Sequence, residues 1–448
     1  MLNIDINLLP VPEPKPQIRA INGIVNGPKL FAVRRQEPVG RQDSWALFRE
    51  LKISCIRTHD LPLFDEGGDI QDVSRVFPLF DADADDPGNY FFAESDTVMA
   101  KLFEITPNVE YRLGESIDHR RDGRRVKPPR DVEHWVDICS HIIRHYNEGW
   151  ANGFHFGIKH WCIWEEANSV PQLWNSGSFS TFLPFYGEAA QKLKARFPDL
   201  LFGTELSMGG KQGNPDKIIM LLEYCRDHRC PIDFLHFSSY RREPDLLGPN
   251  VRTLRRLLDE YGFSGTKLTP GEWHYSPADW SLSWSDMSEV CGINSGAYTA
   301  HGLINLQDIR EADMAFFYSA QSDTWGLFKL DDSPQAAYWA FRYFADLLDA
   351  ECRQPLEIKN ADRDVVALAG RMPDGSIRVL LSCFKAAAGW IRLNFGTGYE
   401  LAELRICDED RMNYDGKAYV TTQNPGEFNL WRLQAGSAIY AFTFIPKK

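Results

Sequence analysis

The feature that most constrains this chain is an alternation that runs through most of its length. Short apolar, β-branched or aromatic runs are followed, again and again, by longer stretches with helical periodicity. The strand-like runs fall at 21–28, 52–57, 108–111, 159–164, 200–206, 232–238, 266–273 and 312–320. The helical stretches fall at 44–50, 94–103, 132–147, 179–196, 215–229, 251–261, 286–306 and 335–348, with a long polar insert after residue 60. Strand-then-helix units in that number predict an α/β fold, a (β/α)8 TIM barrel, over residues 17–350. Beyond residue 350 the texture changes to short alternating runs without helices, with a hairpin signal at Asp374-Gly375. That predicts a C-terminal all-β sandwich domain over 351–448. Residues 1–16 are Pro-rich and are expected to lie extended, adding a strand to the sandwich.

Within the barrel frame, two carboxylates stand out. The run 154–163 is strand-like and ends in Trp164-Glu165-Glu166-Ala167-Asn168. Further on, Lys267-Leu268-Thr269-Pro270-Gly271-Glu272-Trp273-His274 is again a strand running into a Glu beside an aromatic. Glutamate is seldom buried unless it is paired or chemically employed. In a barrel of this kind chemistry gathers at the C-terminal ends of the strands, where both Glu166 and Glu272 fall. A pair of carboxylates so placed is the minimum equipment for a glycosidase. We assign Glu166 as general acid/base and Glu272 as nucleophile. The blander alternative is two loop carboxylates held in salt bridges.

Composition narrows the partners. A net charge of −13 argues against nucleic acid. Nine scattered cysteines without a CxxC read as free thiols in a reducing compartment. The N-terminus lacks the charged start and apolar core of a signal peptide, and no run is long enough to span a membrane. A cytoplasmic location is expected, with no cofactor and no metal, and self-association into a homo-oligomer is left open. The 13 Trp, 16 Tyr and 28 Phe are compatible with sugar stacking and equally with core packing.

The segment Trp164–Asn168 resembles the W-N-E-P-N motif of retaining barrel glycosidases that carry the acid on strand four and the nucleophile on strand seven. The wider context is similar to glycoside hydrolase family 39, the β-xylosidase and α-L-iduronidase group. Arg57-Thr58-His59 resembles its R-x-H, and Phe91-Phe92-Ala93-Glu94-Ser95-Asp96 the opening of its second helix. Gly271-Glu272-Trp273 resembles its T-E-W, and Trp325-Gly326-Leu327-Phe328 with Asp332-Ser333-Pro334-Gln335-Ala336 its ending. The resemblance covers residues 20–348 and implies an exo-acting enzyme that releases a pentose or similar sugar from an oligosaccharide or glycoside. It implies that His59, Asn168 and Tyr240 line the sugar subsite, that Trp325 lies beneath the sugar, and that Arg57 supports the ionised nucleophile.

Three departures matter. Glu165 stands where the family has an Asn that donates to the 2-hydroxyl; an ionised carboxylate only accepts. Its charge should raise the pKa of Glu166 and change how the sugar is held. Ala167 replaces a Pro. Ser238 occupies the place of a histidine, and His236 has moved two residues back, onto the same strand face but one layer deeper. The sugar is therefore open, with arabinose or a uronic acid as alternatives, and a carbohydrate-binding barrel with weakened catalysis is the rival of another class. The basic run His119–Lys127, His141 with His145, and the acids Asp81, Asp83, Asp85 and Asp86 are read as solvated or structural; the last fail a calcium loop because Phe92 stands at position twelve.

Overall fold

The computed structural model describes the chain apart from residues 1, 29–42, 62–68, 119–122, 209–213, 278–283, 362, 433–434 and 448, and the side chains of 2 and 284–286. Eight parallel strands close a barrel: Asn22–Val25, Ile56–Arg57, Val109–Leu113, His160–Ile163, Leu201–Ser207, Phe234–Arg241, Lys267–Tyr275 and Ala315–Phe317. The cylinder shuts where Asn22, Gly23 and Ile24 pair with Ala315, Phe316 and Phe317. Between strands lie helices, among them Ala93–Ile105, Val132–Glu148, Phe182–Arg196, Asp216–His228, Leu247–Glu260 and Ala336–Leu347. Local chemistry fixes their ends. Asp131 caps Val132–Glu148 by accepting from the His134 amide at 3.0 Å, and Gly149, with φ 76°, closes it in the left-handed conformation.

The expected single helix over 286–306 is two, Trp284–Cys291 and Ile293–Asn305, parted at Gly292. The expected strand over 312–320 is shorter, Ala315–Phe317. Its neighbours there are turns that carry the 3₁₀ segment Leu306–Asp308 and the loop toward Trp325.

Two antiparallel-rich sheets make up the rest. One orders Leu356–Lys359, Leu2–Leu8, Gly389–Asn394, Glu427–Arg432 and Val420–Thr421; the other orders Cys352–Gln354, Val365–Arg371, Ile377–Ala386, Gly436–Pro446, Tyr399–Cys407 and Tyr414–Asp415. The N-terminal strand runs parallel to Gly389–Asn394 and antiparallel to Leu356–Lys359. A second core of alternating inward residues, including Ile4, Ile6, Leu381, Ile391 and Phe442, fills the sandwich. The sandwich leans on the barrel through helix Ile293–Asn305, where the Ser382 hydroxyl donates to the Ala297 carbonyl at 2.8 Å. Phe384 packs edge-on against Tyr275 and Tyr298 there.

The strand Val109–Leu113 shows how the barrel sorts its residues. All five are buried, yet Tyr111 faces outward onto Trp161 and Tyr146, while Glu110 and Arg112 face into the cylinder. The interior is thus lined by charge as well as by hydrocarbon, and that charge leads up to the mouth.

Candidate active site

Two non-glycine residues with left-handed backbone bracket Glu165 at the end of the fourth strand: Trp164 at φ 61° and Glu166 at φ 35°. Such conformations cost about 1–3 kcal/mol each and survive only where the surroundings hold them. Trp164 is the anchor. It is buried, donates its Nε1–H to the Leu173 carbonyl at 2.6 Å and stacks edge-on against Trp174. Gly114 makes room for it, since a Cβ there would come within 2.7 Å of the indole. The turn drops Glu165 into the barrel and leaves Glu166 at the mouth.

On the seventh strand a bulge does the equivalent work. Phe237 pairs with Pro270 and Ser238 with Glu272, so Gly271 is the extra residue. The bulge sets Glu272 beside Ser238, and Ser238 Oγ is in hydrogen-bond contact with Glu166 Oε1. The two carboxylates the sequence singled out therefore meet across the barrel mouth.

Their surroundings differ. Glu272 Oε1 lies 2.5 Å from His59 Nε2 and 3.4 Å from Arg57 Nη1, and its Oε2 accepts from the Tyr240 hydroxyl at 2.8 Å. Burial alone would raise its pKa, but His59, Arg57 and Tyr240 outweigh it and hold the group below the ordinary glutamate value. Among the described residues no Lys or Arg pairs with Glu166. Burial, and then the neighbouring Glu272 charge, push it up to about 7, against the opposing pull of Ser238 and His59. Environments that drive two carboxyl groups apart in this way mark an acid and an anion.

The other expected residues fall as follows. Arg57 is wholly buried and faces Glu272, Glu205 and, at 3.6 Å, Glu110. His59 is held between Asp60, 2.8 Å from Nδ1, and the Glu165 and Glu272 carboxylates on Nε2. Burial disfavours its charged form, but these three carboxylates raise its pKa well above the usual value. Tyr240 packs edge-on against half-buried Trp325, which also meets His274, so Trp325 backs the tyrosine that donates to Glu272.

Three of the expected residues are engaged by the protein itself. Glu165 is fully buried, 2.8 Å from His59 Nε2 and 3.2 Å from Arg112 Nε. Because Arg112 and His59 offset its charge, it adds less to the Glu166 shift than burial or Glu272 does. His236 is likewise below the mouth, its Nε2 2.8 Å from Glu110, where the inward alternation of the strand carries it one layer down. The Asn168 amide is engaged by the fifth strand, donating to the Ser207 carbonyl and accepting from the Ser207 amide, both at 2.8 Å.

Sequence reading passed over Glu110, Arg112, Glu205 and Asp72. Arg112 Nη2 donates to Asp72 and to the His59 carbonyl, each at 2.7 Å, and Asp72 also accepts from Ser116 and Arg125. Arg125 belongs to the basic run read as solvated; it turns inward, while residues 119–122 of that run lie outside the described residues. The signal was available: each of these is a charged residue inside or beside an otherwise buried run. Among the described residues, His59–Asp60–Glu165 and His59–Glu205–Glu272 bring possible metal donors within 4.8 Å of one another. Guanidinium groups of Arg57 and Arg112 already counter these carboxylates. His145 and His141 are employed elsewhere, on Asp96 and on the Asp137 carbonyl.

A closed barrel with a carboxylate pair of opposite tuning at its C-terminal mouth is the architecture of a glycoside hydrolase. Residues 46–250 match the model of glycosyl hydrolases family 39. No curated protein matches the sequence. Among solved structures, a glucosidase from Croceicoccus marinus aligns over 100% of both chains at 21% identity with a TM-score of 0.75. The GH39 enzyme from Xanthomonas axonopodis pv. citri aligns over 99% of this chain and 97% of its own, at 15% identity and a TM-score of 0.69. A monomeric beta-xylosidase from Caulobacter crescentus CB15 aligns over 99% of each chain, at 15% identity and a TM-score of 0.66. At such identities these structures speak for the fold; the likeness to glycosyl hydrolases family 39 rests on the sequence match, which spans somewhat under half of the chain.

Proposed function

We propose that the protein is a retaining, exo-acting glycosidase of β-xylosidase type, with Glu166 as general acid/base and Glu272 as nucleophile. The observation that carries this reading is the opposite tuning of the pair: Glu166 pushed up to about 7, Glu272 held down by His59, Arg57 and Tyr240. An anion ready to attack the anomeric carbon must stay ionised at working pH, and the acid must keep its proton until the bond breaks. Attack by Glu272 with proton delivery from Glu166 would leave a glycosyl ester and an ionised Glu166. Esterified Glu272 carries no charge, so its push on Glu166 vanishes. The pKa of Glu166 then falls toward that of an ordinary carboxylate, stabilising the ionised form in which it acts as base toward water. In the second step that base takes a proton from water, whose oxygen attacks the anomeric carbon and releases Glu272.

The pentose assignment is supported by the xylosidase among the similar structures and by Trp325 packed on Tyr240, the tyrosine that donates to the nucleophile. A panel of nitrophenyl glycosides tests it. Turnover of the β-xyloside with retained configuration by NMR is the expected outcome, and turnover confined to another glycoside would replace the sugar. An absence of turnover on every glycoside would favour a binding barrel. Glu272→Ala should lose turnover and regain it with azide, giving the glycosyl azide of inverted configuration; wild-type activity in that variant removes the nucleophile assignment.

A further inference from the structure

We infer that Ser238 and Glu205 are positioning residues for Glu166, a single hydroxyl serving both protonation states of the acid by turning its proton between two carboxyl groups. This rests on the reading of Glu166 as acid/base. Glu205 stands inside the fifth strand, fully buried, with Oε2 against Arg57 Nη2 and Oε1 3.3 Å from Ser238 Oγ. The same Oγ is in contact with Glu166 Oε1. A serine hydroxyl has one proton to donate. Two carboxylates cannot both accept it, so both contacts are hydrogen bonds only when one carboxyl is protonated and donates to Oγ.

The fold makes room for this arrangement. A Cβ at position 271 would fall 2.6 Å from Glu205 Oε1, so the glycine of the bulge is what admits the Glu205 side chain. Among the described residues, the groups facing Glu166 include Glu272, His59, Glu165, Tyr240 and Ser238, and those facing Glu205 include Arg57, Glu272, Glu166, His59 and Cys162. Burial, before any of these, raises both acids and lifts Glu205 well above the ordinary range, so its charge rests on the opposing contact of Oε2 with Arg57 Nη2.

Two states follow. With Glu166 protonated, its O–H donates to Oγ, and the hydroxyl donates to Glu205, whose charge sits on Arg57. Once Glu166 has given its proton to the departing oxygen, the hydroxyl rotates about Cβ–Oγ and donates to the new Glu166 carboxylate. Glu205 keeps its ion pair with Arg57. No covalent bond changes in the switch, and no proton is added or lost.

The test compares Ser238→Ala, Glu205→Gln, Ser238→Thr and Glu166→Ala with the wild type on two aryl glycosides of the accepted sugar. Dinitrophenyl leaves without acid assistance; phenyl needs it. Ser238→Ala should lose roughly 10–100-fold in kcat/KM on the phenyl glycoside, within the range of general-acid contributions, and little on the dinitrophenyl. Its basic pH limb should move up, because the donor favouring ionised Glu166 is gone. In Glu205→Gln the amide oxygen must face Arg57, so its N–H₂ donates to Oγ and pins the hydroxyl proton on Glu166, moving the basic limb down. Ser238→Thr restores the hydroxyl and the wild-type limb. General structural damage would lower both substrates alike and would not move the limb in opposite directions. An unmoved limb in Ser238→Ala, or shifts of one sign in both variants, overturns the inference. If Glu166→Ala shows no preference for the activated leaving group, the acid/base reading itself falls. If it does while the Ser238 and Glu205 variants behave as wild type, this inference alone falls.

Discussion

Removing the charge of Glu272 should lower the pKa of Glu166, and the size of the fall follows from Coulomb's law at the separation a retaining pair needs. A unit charge at about 5–5.5 Å, the separation retaining chemistry requires, contributes about 3 kcal/mol at an effective dielectric of about 20. At 1.36 kcal/mol per pH unit that is about 2 units. Glu166 is displaced from 4.5 to about 7, with burial the larger cause, Glu272 the next, and Ser238 and His59 pulling the other way. In Glu272→Gln the negative neighbour is gone, so the ionised form of Glu166 is favoured and its pKa should fall by roughly 1–2 units. It should stay above an ordinary glutamate because burial remains. The measurement is a carboxyl ¹³C NMR titration of glutamate-labelled protein, with the Glu166 signal assigned by its loss in Glu166→Gln. A value within about 0.3 units of the wild type would mean that the nucleophile does not govern the acid, and the cycling of Glu166 between acid and base would lose its cause.

Three further outcomes are expected. The pH profile of kcat/KM should be bell-shaped, falling above about 7 as Glu166 loses its proton and falling in acid below the ordinary glutamate range as Glu272 gains one; a basic limb near that of free glutamate contradicts the site. Arg57→Met leaves Glu205, Glu272 and Glu110 without their shared cation and should cost about 3–5 kcal/mol in urea unfolding at pH 7. The loss should shrink as the carboxylates protonate in acid, and a cost under about 1 kcal/mol at pH 7 would deny that cation its role. Gly271→Ala puts a methyl within 2.6 Å of both Glu205 Oε1 and His236 Cβ, so a loss of about 1–3 kcal/mol and of activity is expected. A neutral outcome would mean that the bulge has slack.

What could be read from the chain depended on local contrast. Glu166 and Glu272 stood out because a carboxylate at the end of an apolar strand has few bland explanations. The barrel followed from the repeated period change, and the sandwich from its later absence. Glu110, Arg112 and Glu205 carry the same contrast, but they sit within strands, where alternation makes every second residue look like an outward polar one. Only the closed cylinder shows that this face points inward onto a buried Arg57. The depth of His236 followed from the two-residue period of its strand, whereas the burial of Glu165 turned on one left-handed turn at Trp164, which sequence spacing does not encode. The pairing of Leu2–Leu8 with Gly389–Asn394 spans nearly the whole chain, beyond the reach of any local pattern.

Trapping the reaction midway tests the central claim most directly. A 2-deoxy-2-fluoro glycoside of the accepted sugar, with an activated leaving group, should inactivate the enzyme by stalling the covalent intermediate. Proteolysis and mass spectrometry should then find one sugar per chain, on the peptide bearing Glu272 and attached to that side chain. A label on Glu166, Glu165 or Glu205, or turnover to an inverted product with no label, would contradict the account.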